Sequence, residues 1–192
     1  MEPFILDAKT TALVAIDLQR GVVALPTAPR SGAKVVRQTV LLADALRAKG
    51  GLIVWVRVAP AADGKDMLRP IVDVQPAWGG ARAADWVELV PELAVQPHDH
   101  HVTKKQWGAF YGTDLDLQLR RRGIQTIVLT GVATSIGVES TARAAFEHGY
   151  NQVFVADAMA SRSAAEHDHT LQHIFPRLGR VRSTAETLAA LG

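Results

Sequence analysis

TIVLTGVATSIGVESTARAAFEHGY, residues 126–150, reads as a strand, a tight loop and a helix. The run 126–130 is short, apolar and β-branched, which suits a buried parallel strand better than a helix. Gly131 closes it, small residues follow, and helix formers continue past Gly137 to His148. Gly149 then suits the left-handed backbone that ends a helix. A strand entering a helix in this way points free backbone N–H groups out of the carboxyl end of a sheet, where open α/β folds place their ligands.

The same alternation extends through the chain. TALVAI ends at Asp17 as one strand, and a helix is expected over 33–49, with Val36, Val40, Leu41 and Ala45 at helical spacing before Gly50 and Gly51. GLIVWVRV is a second strand and 101–104 a short third. A helix over 113–122 has Thr113 as cap and Gly123 as stop. QVFVADA follows the 126–150 unit as a fifth strand. A helix over 161–175 is broken by Pro176, 179–182 forms an edge strand, and Ser183 with Glu186 makes a capping box for the last helix. Six strands separated by helices predict an α/β fold, a doubly wound parallel sheet with helices on both faces.

At 192 residues the chain is read as one domain, 1–192, with ordinary apolar and charged fractions. Its strongest apolar runs stop after about eight residues, against roughly 20 needed to cross a bilayer. MEPFILDAKT lacks the basic start and apolar core of a secretion signal, so the expected location is cytoplasmic, with no membrane partner. A net charge of +2 is too small to argue for nucleic acid. Arg120, Arg121 and Arg122 are placed at a helix carboxyl end, where cations complement the dipole. There is no cysteine, which excludes disulfides, thiolate metal sites and a cysteine nucleophile together.

GVATSIGVESTARAAFEHGY resembles the signature of the isochorismatase-like hydrolase superfamily, and ALVAIDLQ (12–19) and KKQWGAFYGTDLDLQL (104–119) agree with it. QWGAFYGTDL followed by LRRRGI is similar to the bacterial YecD-type branch. The resemblance implies a strand order of 3-2-1-4-5-6. It also implies a catalytic aspartate at Asp17 and a catalytic lysine at Lys104, with Lys105 as the fallback. A cis peptide bond is implied at Val132–Ala133, with the Ala133 and Gly137 N–H groups as oxyanion donors. Gln19, Arg57 and Trp107 complete the candidate substrate-binding set, Arg57 to hold a carboxylate or to form a surface ion pair.

Most relatives carry a nucleophilic cysteine where this chain has Gly137. With no side chain there, the thiolate route is closed. Of the neighbouring hydroxyls, Thr134, Ser135, Ser140 and Thr141, none is expected to replace it, since Ser135 comes two residues too early and Ser140 points elsewhere on the helix. Isochorismatases proper also lack the cysteine and use the aspartate as an acid on a vinyl ether. Three functions follow: vinyl-ether hydrolysis of a small metabolite, amide or ester hydrolysis by Asp17-activated water, or a binding or assembly protein that has lost its nucleophile.

No cofactor is expected. His98, His100 and His101 in QPHDHH are read as a solvated loop, and no histidine follows the second strand where metal-bearing nicotinamidases of the superfamily hold theirs. The Pro-, Gly- and Ala-rich stretch 59–96 breaks the alternation. A loop this long suggests a lid or an interface; Trp78 and Trp86 either pack it down or touch a substrate or second subunit. A homo-oligomer is expected from that loop and from the family's habit.

Overall fold

The computed structural model describes residues 4–74 and 83–192; Trp78 lies outside them. Six strands form one parallel sheet: β1 (Thr11–Ile16), β2 (Leu52–Val58), β3 (His100–Lys104), β4 (Thr126–Val132), β5 (Asn151–Ala160) and β6 (Arg180–Arg182). Their order is β3-β2-β1-β4-β5-β6. Every residue of β1 is buried, as the centre of such a sheet requires. Alternate β1 side chains feed separate cores, Leu13 and Ala15 on one face and Ala12, Val14 and Ile16 on the other.

The helices are α1 (Arg20–Val23), α2 (Gly32–Ala48), α3 (Leu115–Arg121), α4 (Glu139–Glu147), α5 (Ala164–His169) and α6 (Thr184–Ala190). On the Leu13 face, α2 contributes Val35, Val36, Leu42, Ala43 and Leu46, and α6 contributes Ala190. On the Ile16 face, α3 contributes Leu115 and Leu119, and α4 contributes Ala142 and Ala145. Local chemistry sets their ends. Thr113 Oγ1 accepts from the Leu115 N–H at the start of α3, and Gly123 and Gly149 take positive φ after α3 and α4. Ser183 and Glu186 form a full capping box on α6.

The order of strand addition reverses at β1, which pairs in parallel with β2 on one side and β4 on the other. The crevice beyond the carboxyl ends of these strands is therefore the topological switch point. β1 and β4 approach closely there because Gly131, opposite Ile16, has no side chain. A Cβ on it would lie 2.1 Å from the Ile16 carbonyl oxygen, and its φ of +121° suits glycine alone.

Three readings are corrected. The loop before Gly137 shrinks to Ala133, because a π-helical turn, Thr134–Val138, leads directly into α4. The helix expected over 161–175 is α5 followed by a π turn (Thr170–Ile174) and a 3-10 turn (Phe175–Arg177), with Phe175 stacked on Phe154 at 3.9 Å. QPHDHH is a solvated loop only in part: Pro97 and His98 form an exposed turn, but Asp99 is buried and His100 and His101 belong to β3.

The Asp99 carboxylate accepts from Arg47 Nη2 at 2.9 Å, Trp55 Nε1 at 2.8 Å and the Gln96 N–H at 2.9 Å. Burial alone would push this carboxyl up, but those donors together hold it below the usual carboxylate value. Removing one partner strands a buried cation and an indole N–H. Asp99→Ala is expected to lower unfolding free energy by about 3 kcal/mol in urea melts at pH 7. A depressed carboxylate contributes stability above its unfolded pKa, about 3.9, and loses it as pH falls through the folded value. The variant should therefore lose part of the acid sensitivity below that pH; an unchanged urea midpoint at pH 7 would contradict this role.

Candidate active site

Asp17 follows the last residue of β1, and its backbone N–H donates to the Val56 carbonyl at 2.9 Å. Its φ of +55° lies in the left-handed region that side-chain-bearing residues avoid, so the surrounding sheet must hold it there. Lys104, the last residue of β3, brings its Nζ to 2.8 Å from Asp17 Oδ2. The same ammonium donates to the Trp107 carbonyl at 2.5 Å. Lys104 is 1% exposed, so both partners are needed to offset its lost hydration. Lys105 points elsewhere, to Asp66 at 2.8 Å and the Ala59 carbonyl at 2.7 Å.

Burial pushes the Asp17 carboxyl above the usual carboxylate range, and the Lys104 charge and hydrogen bond pull it back in part. A hydrogen bond from the Val58 backbone also pulls it back, although Oδ1 is enclosed and no side chain among the described residues bonds it.

Gly137 sits in the π turn directly above this pair. A Cβ there would lie 3.2 Å from Asp17 Oδ2, 3.2 Å from Lys104 Nζ and 3.1 Å from Ile16 Cγ2. The Val132–Ala133 peptide bond is cis. Ala133 and Gly137 both line the cavity above Asp17 and Lys104, which has a volume of about 1380 Å³. Its walls are mostly apolar, with Met67, Leu68, Ile71 and Val72 from the irregular stretch 59–74 facing Ile136 and Trp107. Trp107 is 59% exposed at the rim, and Trp86 also lines the cavity while lying over Gly21.

Two candidate contacts fall elsewhere. Gln19 is fully buried and does not line the cavity. Its amide accepts from the Val58 N–H at 2.9 Å and donates to the Val58 and Trp86 carbonyls at 3.1 and 3.2 Å, bracing the strand ends. Arg57 does not line the cavity either; its Nε donates to Thr103 Oγ1 at 3.2 Å across β2 and β3. Strand alternation turns it to the face opposite Val56.

The sequence reading passed over Ser161, which follows β5 as Asp17 follows β1. It lines the cavity fully buried, 2.8 Å from Ser135 Oγ and donating to Glu166 at 2.9 Å. Position at a carboxyl strand end was the available signal. Buried His167 lies behind the π turn, with Nδ1 2.8 Å from Thr134 Oγ1 and Nε2 3.5 Å from Arg30 Nη1. A guanidinium donates and never accepts, so Nε2 is the unprotonated nitrogen and Nδ1–H donates to Thr134. Burial and the Arg30 charge hold this imidazole below the usual histidine value. Among the described residues no group of three or more His, Cys, Asp or Glu gathers as a metal site, and no helix is long and apolar enough to cross a membrane.

Residues 11–186 match the isochorismatase domain, and the chain belongs to the isochorismatase family, within the isochorismatase-like hydrolase superfamily. It is 55% identical over 185 residues to the uncharacterised isochorismatase family protein YwoC of Bacillus subtilis, covering 95% of each chain. It is 47% identical over 186 residues to YecD of Escherichia coli O157:H7, covering 97% of this chain and 98% of that one. An isochorismatase family structure from Burkholderia thailandensis superposes with a TM-score of 0.92 at 51% identity, covering 95% of this chain and 96% of the other. More distant relatives include a ureidoacrylate amidohydrolase, RutB, of Methylorubrum extorquens, 30% identical over 221 residues, 99% of this chain and 86% of that one. N-carbamoylsarcosine amidase of Thermoplasma acidophilum superposes with a TM-score of 0.74 at 25% identity, covering 91% of this chain and 96% of that one.

The position of residue 137 permits a direct check of the geometry. A cysteine there would hold its sulfur beside Lys104 at the start of a helix, both of which favour a thiolate. Gly137→Cys is expected to be alkylated by iodoacetamide at neutral pH faster than a free thiol, as read by intact mass. An inert thiol in a folded variant would show that residue 137 does not face the pair as described.

Proposed function

We propose that this protein is a cysteine-independent hydrolase of a small anionic metabolite, with a vinyl ether such as isochorismate as the leading substrate. The observation that carries this reading is the buried Asp17–Lys104 pair, 2.8 Å apart, opening onto a residue 137 that has no side chain. A carboxyl raised by burial keeps its proton to higher pH than a surface aspartate, which favours a role as an acid.

Asp17 protonates the methylene carbon of the enol ether, forming an oxocarbenium ion next to the resulting carboxylate. Lys104 steadies that carboxylate as it forms. Water adds to the cationic carbon, and the hemiketal collapses to pyruvate and an alcohol as its hydroxyl proton passes to the departing oxygen. Charge in the cavity agrees with an acidic substrate: Arg69 and Arg162 line it, Lys105 there is neutralised by Asp66, and Asp17 is the sole carboxylate among the described lining residues.

The amidohydrolase relatives favour a second reading on the same residues. There Asp17, as carboxylate, takes a proton from water that attacks an activated amide, and the Ala133 and Gly137 N–H groups stabilise the oxyanion. The two readings differ in the protonation state that Asp17 needs at the start. A homo-oligomer stays part of the proposal, through the exposed apolar residues Leu68, Ile71 and Val74 at the cavity mouth.

Pyruvate release from isochorismate, coupled to lactate dehydrogenase, separates them. Wild-type turnover is expected to exceed that of Asp17→Asn by about 100-fold or more, the mutant also correcting for spontaneous breakdown. Equal rates would rule out vinyl-ether hydrolysis by Asp17 and leave the amide reading to be tested on ureido and amide substrates.

A further inference from the structure

The π turn Thr134–Val138 carries Gly137, and with Ala133 before it presents one side to the cavity. Its other side is bonded to α5 and the turn that follows. Thr134 Oγ1 lies 2.8 Å from His167 Nδ1, and Ser135 Oγ donates to Glu166 Oε2 at 3.3 Å. Further on, at the start of α4, Glu139 accepts from Thr170 Oγ1 at 2.9 Å. Residues 134, 135 and 139 are thus fastened to 167, 166 and 170. The first of these bonds is the most enclosed, with Thr134 0% and His167 1% exposed. A bond unmade there costs the desolvation of both groups, whereas water can replace the exposed Ser135–Glu166 contact.

His167 reaches Thr134 with a fixed polarity. Arg30 Nη1 donates to the Ala156 carbonyl of β5 at 3.2 Å and faces His167 Nε2 at 3.5 Å. A guanidinium only donates, so Nε2 is held as the acceptor and the proton resides on Nδ1, aimed at Thr134. Burial and the Arg30 charge favour the neutral ring that this arrangement needs. The donors run in one direction, from Arg30 on the sheet through His167 to the first residue of the π turn. Such turns are rare and depart from the ladder of the helix that follows, so bonds from outside bear on whether one persists. If this one tightened to α-helical bonding, its residues would rotate about the axis, and residue 137 would turn relative to the Asp17–Lys104 pair.

We propose that His167 is a positioning residue of the active site: as its Nδ1–H tautomer, oriented by Arg30, it holds the π turn in the form that sets residue 137 against Asp17 and Lys104. It does not line the cavity, and it acts through Thr134. This rests on the reading of that pair as the reactive centre, and it holds for either substrate class, since both place the substrate against the same turn.

Gly137→Cys supplies a reporter that needs no substrate, since the acidity of a thiol at 137 depends on how that residue faces Lys104 and the helix start. In that background His167→Leu removes the donor to Thr134, and His167→Asn keeps one, its amide nitrogen standing where Nδ1 stands. With leucine, the midpoint of the iodoacetamide pH profile is expected to rise by about one pH unit, slowing alkylation about tenfold at pH values below both midpoints. With asparagine the rate is expected to return to within about twofold of the histidine protein. A histidine that served only global stability would lower the urea midpoint and leave the profile of the folded variant in place. An unchanged profile with leucine, or asparagine no better than leucine, overturns the proposal. Nitrogen-15 NMR of the unsubstituted protein supplies a reading that needs no variant to fold. A protonated Nδ1 and a bare Nε2 on His167 are expected at neutral pH, and the reverse tautomer overturns the proposal. A thiol profile that moves as expected, in a protein whose wild type turns over neither isochorismate nor an amide, leaves the positioning role standing and the hydrolase reading failed.

Discussion

An ammonium group 1% exposed in the floor of a protein is tolerated where its hydrogens are spoken for, and Lys104 organises this molecule around that need. Its partners come from separate parts of the chain: Asp17 from the end of the central strand, and the Trp107 carbonyl from the loop after β3. Reaching them requires β3 to lie two strands from β1 and in parallel register with β2, which the pairing of Val58 with Lys104 provides. Asp17 in turn takes a left-handed backbone to meet the lysine. That conformation is held by its N–H bond to Val56 and by the enclosed amide of Gln19 two residues on. A buried pair of this kind is weak as a source of stability. Its value lies in the protonation state it sets.

The two groups pull the carboxyl in opposite directions. Enclosure disfavours the charge on Asp17, and Lys104 favours it. Because enclosure prevails, the carboxyl is poised nearer neutrality than a surface aspartate. Gly137 bears on the same balance, since any side chain there would touch both members of the pair. In the proposed reaction the cavity above, with Arg69 and Arg162 among its mostly apolar lining, would hold the substrate while one proton moves.

Strand positions were legible because a buried parallel strand leaves a short β-branched run, as in TALVAI before Asp17, GLIVWVRV before Ala59-Pro60 and 126–130 before Gly131, whereas the strand order came from the family resemblance. Asp17 stood out for the same reason, as a carboxylate at the end of an apolar run. The choice of Lys104 over Lys105 came from the family spacing, and the structure puts Lys104 on the Asp17 side. Side-chain destinations across the sheet were less legible. Gln19 and Arg57 both sit at strand ends, yet one is turned into backbone bracing and the other to the opposite face. Asp99 was hidden among histidines, and its partners Arg47 and Trp55 lie 52 and 44 residues away. The stretch 59–74 carries no periodicity, so its part in the cavity wall could not be read from pattern at all.

The central claim is that Asp17 is a carboxyl raised by burial and restrained by Lys104. Carbon-13 NMR titration of the aspartate carboxyls, with Asp17 assigned by difference from Asp17→Asn, measures it without a substrate. The account predicts that Asp17 titrates above the ordinary aspartate value of about 3.9 in the wild type, and higher still in Lys104→Met. An Asp17 that titrates at or below that value in the wild type, or that does not move when Lys104 is removed, would contradict it.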